Sequence, residues 1–420
     1  MTQTEAKAIQ CPSCGGPLIF DPTIGKLRCS YCGSLFTPEE VDRHGGPHIS
    51  AEEPTPPPGW GAEAEAIATY QCASCGAELI TDRATTATLH CPYCGNNTVV
   101  PAQFSGSVRP NWVIPFHSTR EQVLAAYHDY YQKKFWKRYL LPRSFRKKNR
   151  VEEVQGVYVP FWLFDGSAEV DAVYETYDAE KHGNHEIRHL YREERQGSVA
   201  FRNVPVDASK RMQNDLMDSI EPYDQKELMP FSLAYLPGFL AERFDVDASS
   251  VRRRAEDRVT KTAREKFRET ITHEKLGITK KEELSLNFEG TNYALLPVWL
   301  LTSRWKDRPW TFAMNGQTGA ITGDLPMSKL KTLLLVIPLM IVAFLIGNWI
   351  GDAGVGAIAA LIVGAFVLLN AFSAMKPVNR ATEAKQYMTG NVRLTKKQEE
   401  FLRDIRVQKG QEIKTINKFR

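Results

Sequence analysis

From Thr332 to Ala374 the chain reads TLLLVIPLMIVAFLIGNWI, then GDA, then GVGAIAALIVGAFVLLNAFSA. Thr332–Ile350 is a 19-residue run and Gly354–Ala374 a run of 21, both almost wholly apolar. Each is long enough as a helix to cross about 30 Å of hydrocarbon. Only Gly351-Asp-Ala353 separates them. So short a turn returns the second helix antiparallel to the first and leaves both ends of the pair on one side. Lys329 and Lys331 precede the pair, Lys376 and Arg380 follow it, and the turn carries no basic residue. Because cytoplasmic flanks accumulate Lys and Arg, this bias predicts a two-pass protein of the cell inner membrane with both termini cytoplasmic. The competing reading is a buried helical hairpin in a soluble core, against which Leu333 to Ile346 shows no polar face. Gly356, Ala360 and Gly364 recur every four residues, a small-residue stripe suited to seating the partner helix.

Outward from this hairpin the chain is polar. Its 420 residues exceed one ordinary core, so several folded units are expected. The net charge of +4 and the mean hydropathy of −0.34 are averages that hide the apolar segment. Met1–Gln10 has neither a basic region nor an apolar stretch, so no secretory signal is expected and the N-terminus is placed in the cytoplasm. There, in a reducing compartment, paired cysteines point to metal rather than to disulfides.

All eight cysteines form four Cys-x-x-Cys pairs within the first hundred residues. Cys11 and Cys14 precede Cys29 and Cys32; Cys72 and Cys75 precede Cys91 and Cys94. Two thiolates two residues apart clamp one edge of a tetrahedral ion, and a short hairpin returns the second pair to complete it. Glycine follows each pair, at Gly15, Gly33, Gly76 and Gly95, where positive φ lets the turn close around sulfur. The pattern predicts two small β zinc ribbons, at 8–40 and 69–103, joined by a Pro-rich linker over 41–68. All eight cysteines are assigned as metal ligands and the cofactors as two structural Zn2+, one per ribbon. With four protein ligands no position is left for a reactive water, so the sites are read as structural. A thioredoxin-like redox pair would need a βαβ context that the sequence lacks.

Residues 108–325 alternate helical and strand periodicities, which predicts an α+β soluble domain. Ser118-Thr-Arg-Glu121 reads as a capping box opening an amphipathic helix with Val123, Tyr127, Tyr131 and Phe135 on one face. A second helix after Ser249 or Ser250 carries Val251, Ala255, Val259, Ala263 and Phe267 in the same way. Downstream of each lies a Pro-x-Trp-Leu strand start, at Pro160 and at Pro297. These parallels predict an internal duplication, with repeats at 112–178 and 244–325. Asn315-Gly316 signals a tight hairpin near the domain end.

Between Lys133 and Arg150 lie nine basic residues and no acidic one, interleaved with Phe135, Trp136, Tyr139 and Phe145. Such a stretch can grip nucleic-acid phosphates or anionic lipid, or be a solvated helix end. Lipid is the nearer polyanion for a membrane-tethered chain. The segment 376–420, richer in basic than acidic residues, is read as a basic cytoplasmic tail near lipid head groups. His185-Glu-Ile-Arg-His189 matches H-E-x-x-H, which on a helix would hold a catalytic zinc with Glu186 as base. The turn signal at Gly183-Asn184 and the absence of a helical stripe argue against it. No Gly-rich phosphate loop of the G-x-x-x-x-G-K-[ST] type occurs either.

Gln71-Cys-Ala-Ser-Cys-Gly76, Cys91-Pro-Tyr-Cys-Gly95, Val113-Ile-Pro-Phe116 and Gly156-Val-Tyr-Val-Pro-Phe-Trp-Leu-Phe-Asp165 resemble the bacterial zinc-ribbon membrane proteins labelled TFIIB-type. The resemblance runs from about residue 8 to the hairpin and implies a zinc-ligand role for the matching cysteines. Some members are encoded beside phage-shock-protein-A-like and flotillin-like partners, which implies recruitment in envelope stress or membrane organisation. Others are labelled as primosomal helicases, a label attributable to ribbon similarity alone. The expected function is therefore a non-enzymatic membrane adaptor touching lipids and protein partners. A membrane-tethered nucleic-acid-binding regulator is the second reading, and an H-E-x-x-H metalloprotease the third.

Overall fold

A computed structural model describes residues 11–45, 67–72, 78–82, 99–102, 108–132, 135–148, 150–183, 185–306, 308–375, 384–408 and 411–416. The chain divides into two compact units. The first comprises 1–161, 207–246 and 293–381, the second 162–206, 247–292 and 382–420.

The first unit opens with an antiparallel meander, β1 (Leu18–Asp21), β2 (Lys26–Cys29) and β3 (Leu35–Phe36), followed by α1 (Pro38–Gly45). Thr37 and Glu40 form a reciprocal cap, Thr37 N donating to Glu40 Oε2 (2.8 Å) and Glu40 N to Thr37 Oγ1 (3.3 Å). Helix therefore occupies positions that the sequence reading gave to the linker. Next come β4 (Ile67–Cys72), β5 (Glu78–Asp82), β6 (Val99–Ala102) and β7 (Trp112–Val113).

Helix α2 (Arg120–Gln132) buries Val123, Tyr127 and Tyr131, as their spacing required. Phe135, expected to continue that face, instead opens a separate helix, and α2 ends before it. Its cap sits one residue later than Ser118: Thr119 N donates to Gln122 Oε1 (2.9 Å) and Gln122 N to Thr119 Oγ1 (3.5 Å). Ser118 is taken by a tertiary contact instead, donating to Gly316 O (2.9 Å) and accepting from Trp299 Nε1 (3.0 Å). Short helices α3 (Phe135–Leu140) and α4 (Arg143–Lys148) lead into β8 (Arg150–His182), then β9 (His185–Asp207).

The chain continues through α5 (Asn214–Ser219), β10 (Met229–Pro230), β11 (Leu240–Glu242), α6 (Ala248–Arg268), β12 (Lys275–Trp305), β13 (Arg308–Asn315) and β14 (Ile321–Gly323). Pro160 and Pro297 thus fall inside long strands rather than at strand starts, and their carbonyls accept from Ala208 N and Gly316 N. The turn after β13 is wider than the Asn-Gly signal suggested. Asn315 Oδ1 accepts from Gln317 N and Thr318 N, and the positive φ belongs to Gly319 (75°).

The main sheet of this unit has the order β10-β7-β12-β8-β11-β5-β4-β6. Two short strands join it in parallel: Trp112 and Val113 face Ala294 and Leu295, while Leu240 and Ala241 face Val157 and Tyr158. Over it lies an aromatic cluster. Phe116 stacks on Phe239 at 4.0 Å and meets Tyr158 and Trp299 edge-on at 4.9 and 5.3 Å.

Two apolar helices close this unit's contribution, α7 (Lys329–Ile350) and α8 (Ala353–Met375). They are long and apolar enough to span a membrane, with mean hydropathies of 2.5 and 2.4. Side chains such as Leu334, Leu345, Ile362 and Phe366 point outward with 59–66% of their surface open, the reverse of a soluble core. Gly356, Ala360 and Gly364 face inward. A Cβ at Gly356 would lie 2.7 Å from Phe344 O, and one at Gly364 2.7 Å from Met340 Sδ. The stripe therefore seats the partner helix, because only small residues permit that approach.

In the second unit β8 and β9 form a hairpin through Gly183 (φ 57°). Helix α6 turns Val251, Ala255, Val259, Ala263 and Phe267 into this unit's core, as the periodicity required. The expected basic tail is a folded part of this unit. Strand β15 (Met388–Gln408) pairs antiparallel with β9 from Met388↔Phe201 to Val407↔Glu186, and β16 (Gln411–Ile416) pairs with β15. Charges meet across the two strands in both directions, Lys396 of β15 with Glu194 of β9 and Glu400 of β15 with Arg192 of β9.

Candidate metal centre

Four cysteines converge at the base of the first meander. Cys11 and Cys14 lie in the loop before β1, Cys29 ends β2, and Cys32 lies in the turn before β3. Both Cys-x-x-Cys-Gly segments adopt one hydrogen-bonding pattern. Gly15 N donates to Cys11 O (2.8 Å) and Cys11 N to Gly16 O (2.8 Å); Gly33 N donates to Cys29 O (3.0 Å) and Cys29 N to Ser34 O (2.9 Å). Gly15 and Gly33 both take φ 74°, which explains why glycine follows each pair.

The sulfurs end close together: Cys11 Sγ to Cys32 Sγ is 3.6 Å, Cys14 Sγ to Cys29 Sγ is 3.4 Å, and all four lie within 4.8 Å of one another. A tetrahedral ion with sulfur at about 2.3 Å would separate its ligands by about 3.8 Å, so the set has the dimensions to hold one metal ion. Cys11 and Cys29 are buried, Cys14 and Cys32 exposed.

The thiols are electrostatically unequal. Cys32 is pulled down to about 6, chiefly by the Ser34 hydroxyl and then the Ser34 amide. Cys29 is lowered, first by the Cys32 amide. At Cys14 the Gly16 amide pulls down, but hydrogen bonds with Cys29 and Cys32 outweigh it and push the thiol up to about 12. The Ser34 hydroxyl at Cys32 and a neighbouring amide at Cys29 thus favour thiolate, whereas hydrogen bonds with its neighbouring thiols favour the protonated form of Cys14. A cation bound there would replace that proton.

The cluster is seated on its unit rather than strung on a tether. Phe20 N donates to Pro237 O (3.1 Å), the Phe20 ring meets Tyr235 at 5.5 Å, and Ser232 Oγ bonds Asp42 Oδ1 at 2.8 Å.

The second cysteine set is described only at Cys72, the last residue of β4, where it faces Val99 of β6. Cys75, Cys91 and Cys94 lie outside the described residues. The flanking strands extend the main sheet, since β5 pairs with β11 at Ile80↔Ala241.

The H-E-x-x-H residues lie on strand β9, and among the described residues they do not gather as metal ligands. His189 Nδ1 pairs with Asp404 Oδ1 (2.6 Å), His185 Nε2 with Arg406 (2.6 Å), and Glu186 with Arg188 (2.6 Å). Sequence reasoning missed the buried pair Glu193–Arg195, both fully enclosed. Flanked by Arg192, Glu194 and Gln196, these two residues carry no local sequence signal of burial.

The chain is thus a multidomain protein that joins a sheet-rich body and a four-cysteine cluster to two C-terminal membrane-span-like helices. It belongs to the family of the uncharacterized protein YdjG of Bacillus subtilis (strain 168), with 31% identity over 342 residues spanning 77% of this chain and 91% of that one. No family model matches the chain, and no solved structure does.

Proposed function

We propose that this protein is a non-enzymatic adaptor of the TFIIB zinc-ribbon type, anchored in the inner membrane by two passes with both ends in the cytoplasm. The observation that supports the two-pass anchor in this reading is the pairing of β15 with β9. One strand precedes the hairpin and the other follows it, so the chain must cross an even number of times between them. A single crossing would place the bilayer between two hydrogen-bonded strands. With two crossings, the Lys and Arg bias at both helix ends selects the cytoplasmic side.

Zinc is the ion best suited to the cysteine set. Four thiolates favour it, and the 3.4 and 3.6 Å sulfur separations suit its tetrahedron. Four protein ligands supply folding energy and leave no site for hydrolysis. The second cysteine set is assigned a second zinc on spacing alone. Strand register supports a duplicated body: Ala294 lies 137 residues after Val157, the spacing that also separates Trp162 from Trp299. Ala294 receives a short parallel strand from the first repeat at Trp112, and Val157 receives one at Leu240, just before the second repeat.

Such a body presents ribbon and sheet surfaces to proteins at the membrane, of the phage-shock-protein-A-like or flotillin-like kind. The test is cross-linking in intact membranes followed by affinity recovery of the full chain. A membrane-remodelling protein should be recovered, and its yield should fall in a Cys72→Ser, Cys75→Ser variant. Unchanged recovery, a freely soluble chain, or an N-terminus labelled from outside would each refute the adaptor.

A further inference from the structure

We infer that α3 and its turn into α4 form a binding site for anionic phospholipid head groups at the mouth of the hairpin, through Arg138, Arg143 and Lys329. This inference rests on the membrane reading of α7 and α8.

Three bonds fix the placement. Ser328 N donates to Leu140 O (2.9 Å), Lys331 Nζ to Leu141 O (2.7 Å), and Leu325 N to Met375 O (3.2 Å). Ser328 is the N-cap of α7, so the α3–α4 turn stands level with the first turn of one apolar helix and the last residue of the other. Trp349, 86% exposed, marks the opposite end of α7. The 18 residues from Lys331 to Trp349 span about 27 Å, which matches the hydrocarbon thickness and leaves Lys331 and its neighbours among head groups.

Charge and rigidity supply the rest. Lys137 is spent inside the fold, buried with its ammonium 3.3 Å from the centre of the Tyr130 ring. Arg138, Arg143 and Lys329 are exposed, and no ion pair is formed by any of them among the described residues. The backbone that presents them is held from below. Leu140, Leu141 and Phe145 are fully enclosed, with Phe145 against Trp305 at 5.8 Å and Tyr131 at 6.3 Å. Tyr139 lies half-buried beside Lys331, 6.0 Å from ring centre to ammonium, an amphipathic ring at interfacial depth. A nucleic acid at this level would have to lie in the head-group plane beside like-charged lipid. Lipid phosphate is already there.

The experiment uses the full chain in nanodiscs of phosphatidylcholine mixed with phosphatidylglycerol, reading by native mass spectrometry the ratio of the two lipids retained per protein. Wild type should retain phosphatidylglycerol above its input share. Arg138→Gln with Arg143→Gln should lower that enrichment by roughly fivefold per charge removed. Arg253→Gln with Lys261→Gln, two exposed cations of α6, should leave it unchanged. If the chain inserts but enrichment is absent, or unmoved by the first pair, the lipid site is refuted while the anchor stands. An equal fall in the control pair would assign the effect to net charge and also refute the site. A labelled oligonucleotide that binds the nanodisc-embedded wild type and is lost in Arg138→Gln/Arg143→Gln, with lipid enrichment intact, would make the patch a nucleic-acid surface. Failure to insert at all would overturn the anchor, and the lipid site with it.

Discussion

Arg195→Met tests how the chain that leaves the hairpin is held to the body. Arg195 and Glu193 are both fully enclosed and paired through Arg195 Nη2. Arg195 also donates to Gln398 O (3.2 Å), Thr270 O (3.3 Å) and Glu194 O (3.0 Å), and meets Glu399 Oε1 at 3.3 Å. Glu193 accepts from Thr176 Oγ1, Thr272 N and His273 N. One guanidinium therefore links β9, the segment after α6 and β15. Removing it strands a buried carboxylate, which costs about 3–5 kcal/mol when the charge has no other cation to meet. Glu193→Gln with Arg195→Met removes both charges and should cost less than Arg195→Met alone, giving a coupling of at least about 2 kcal/mol. Chemical unfolding in detergent measures the energies, and hydrogen exchange over 388–407 localises them. A cost below about 1 kcal/mol, with exchange over β15 unchanged, would mean that the pair behaves as a surface ion pair and would refute the lock.

Cys11→Ser with Cys14→Ser should lose one equivalent of bound metal by elemental analysis, whereas His185→Ala with His189→Ala should lose none. Acid should free the C-terminal strand: Glu194, held by the Lys396 hydrogen bond, Glu269, by that of Lys385, and Glu399, by the Thr272 hydroxyl, all titrate below their ordinary 4.5. A depressed folded value stabilises above 4.5 and is lost as pH falls through the lowered values, so pepsin should cut within 385–407 only on that acid side. Gly356→Leu should destabilise the helix pair by about 1–3 kcal/mol, because its neighbours are backbone atoms; Ile362→Leu, on an exposed position, should be neutral in the same thermal assay. Replacing 329–375 by a short Gly-Ser bridge should give a folded, metal-binding soluble protein, since Leu325 N and Met375 O already meet at 3.2 Å. Deleting α8 alone should leave aggregated chain in fractionation.

Periodicity made the helix faces at Val123, Tyr127 and Tyr131 and from Val251 to Phe267 legible, because burial on one side of a helix repeats every three to four residues. The cysteine cluster was legible because ligand spacing and the following glycine are local constraints. What was hidden is tertiary. Ser118 had the chemistry of a cap, yet a bond to Trp299, 181 residues away, claimed it and moved the cap to Thr119. Residues 388–408 are too charged to advertise a strand, and their extended form is imposed by the partner β9. The same holds for Glu193 and Arg195, whose burial depends on strands and turns from three distant segments.

The two apolar helices lie within the chain order of the folded body rather than after it. Had the apolar helices been appended to a finished domain, their loss would leave the body intact and their orientation would rest on flanking charge alone. Instead they interrupt it: β14 ends at Gly323, and β15 begins at Met388. If the two helices cross a bilayer as proposed, a molecule that completes the second unit must have brought β15 back to the side on which β9 was made. In the proposed two-pass arrangement, correct folding and correct topology would become one event, because a chain inserted with one pass could not form the pairs from Met388↔Phe201 to Val407↔Glu186. In that proposed arrangement charge bias and strand pairing would act independently, one through the bilayer and the other through backbone hydrogen bonds.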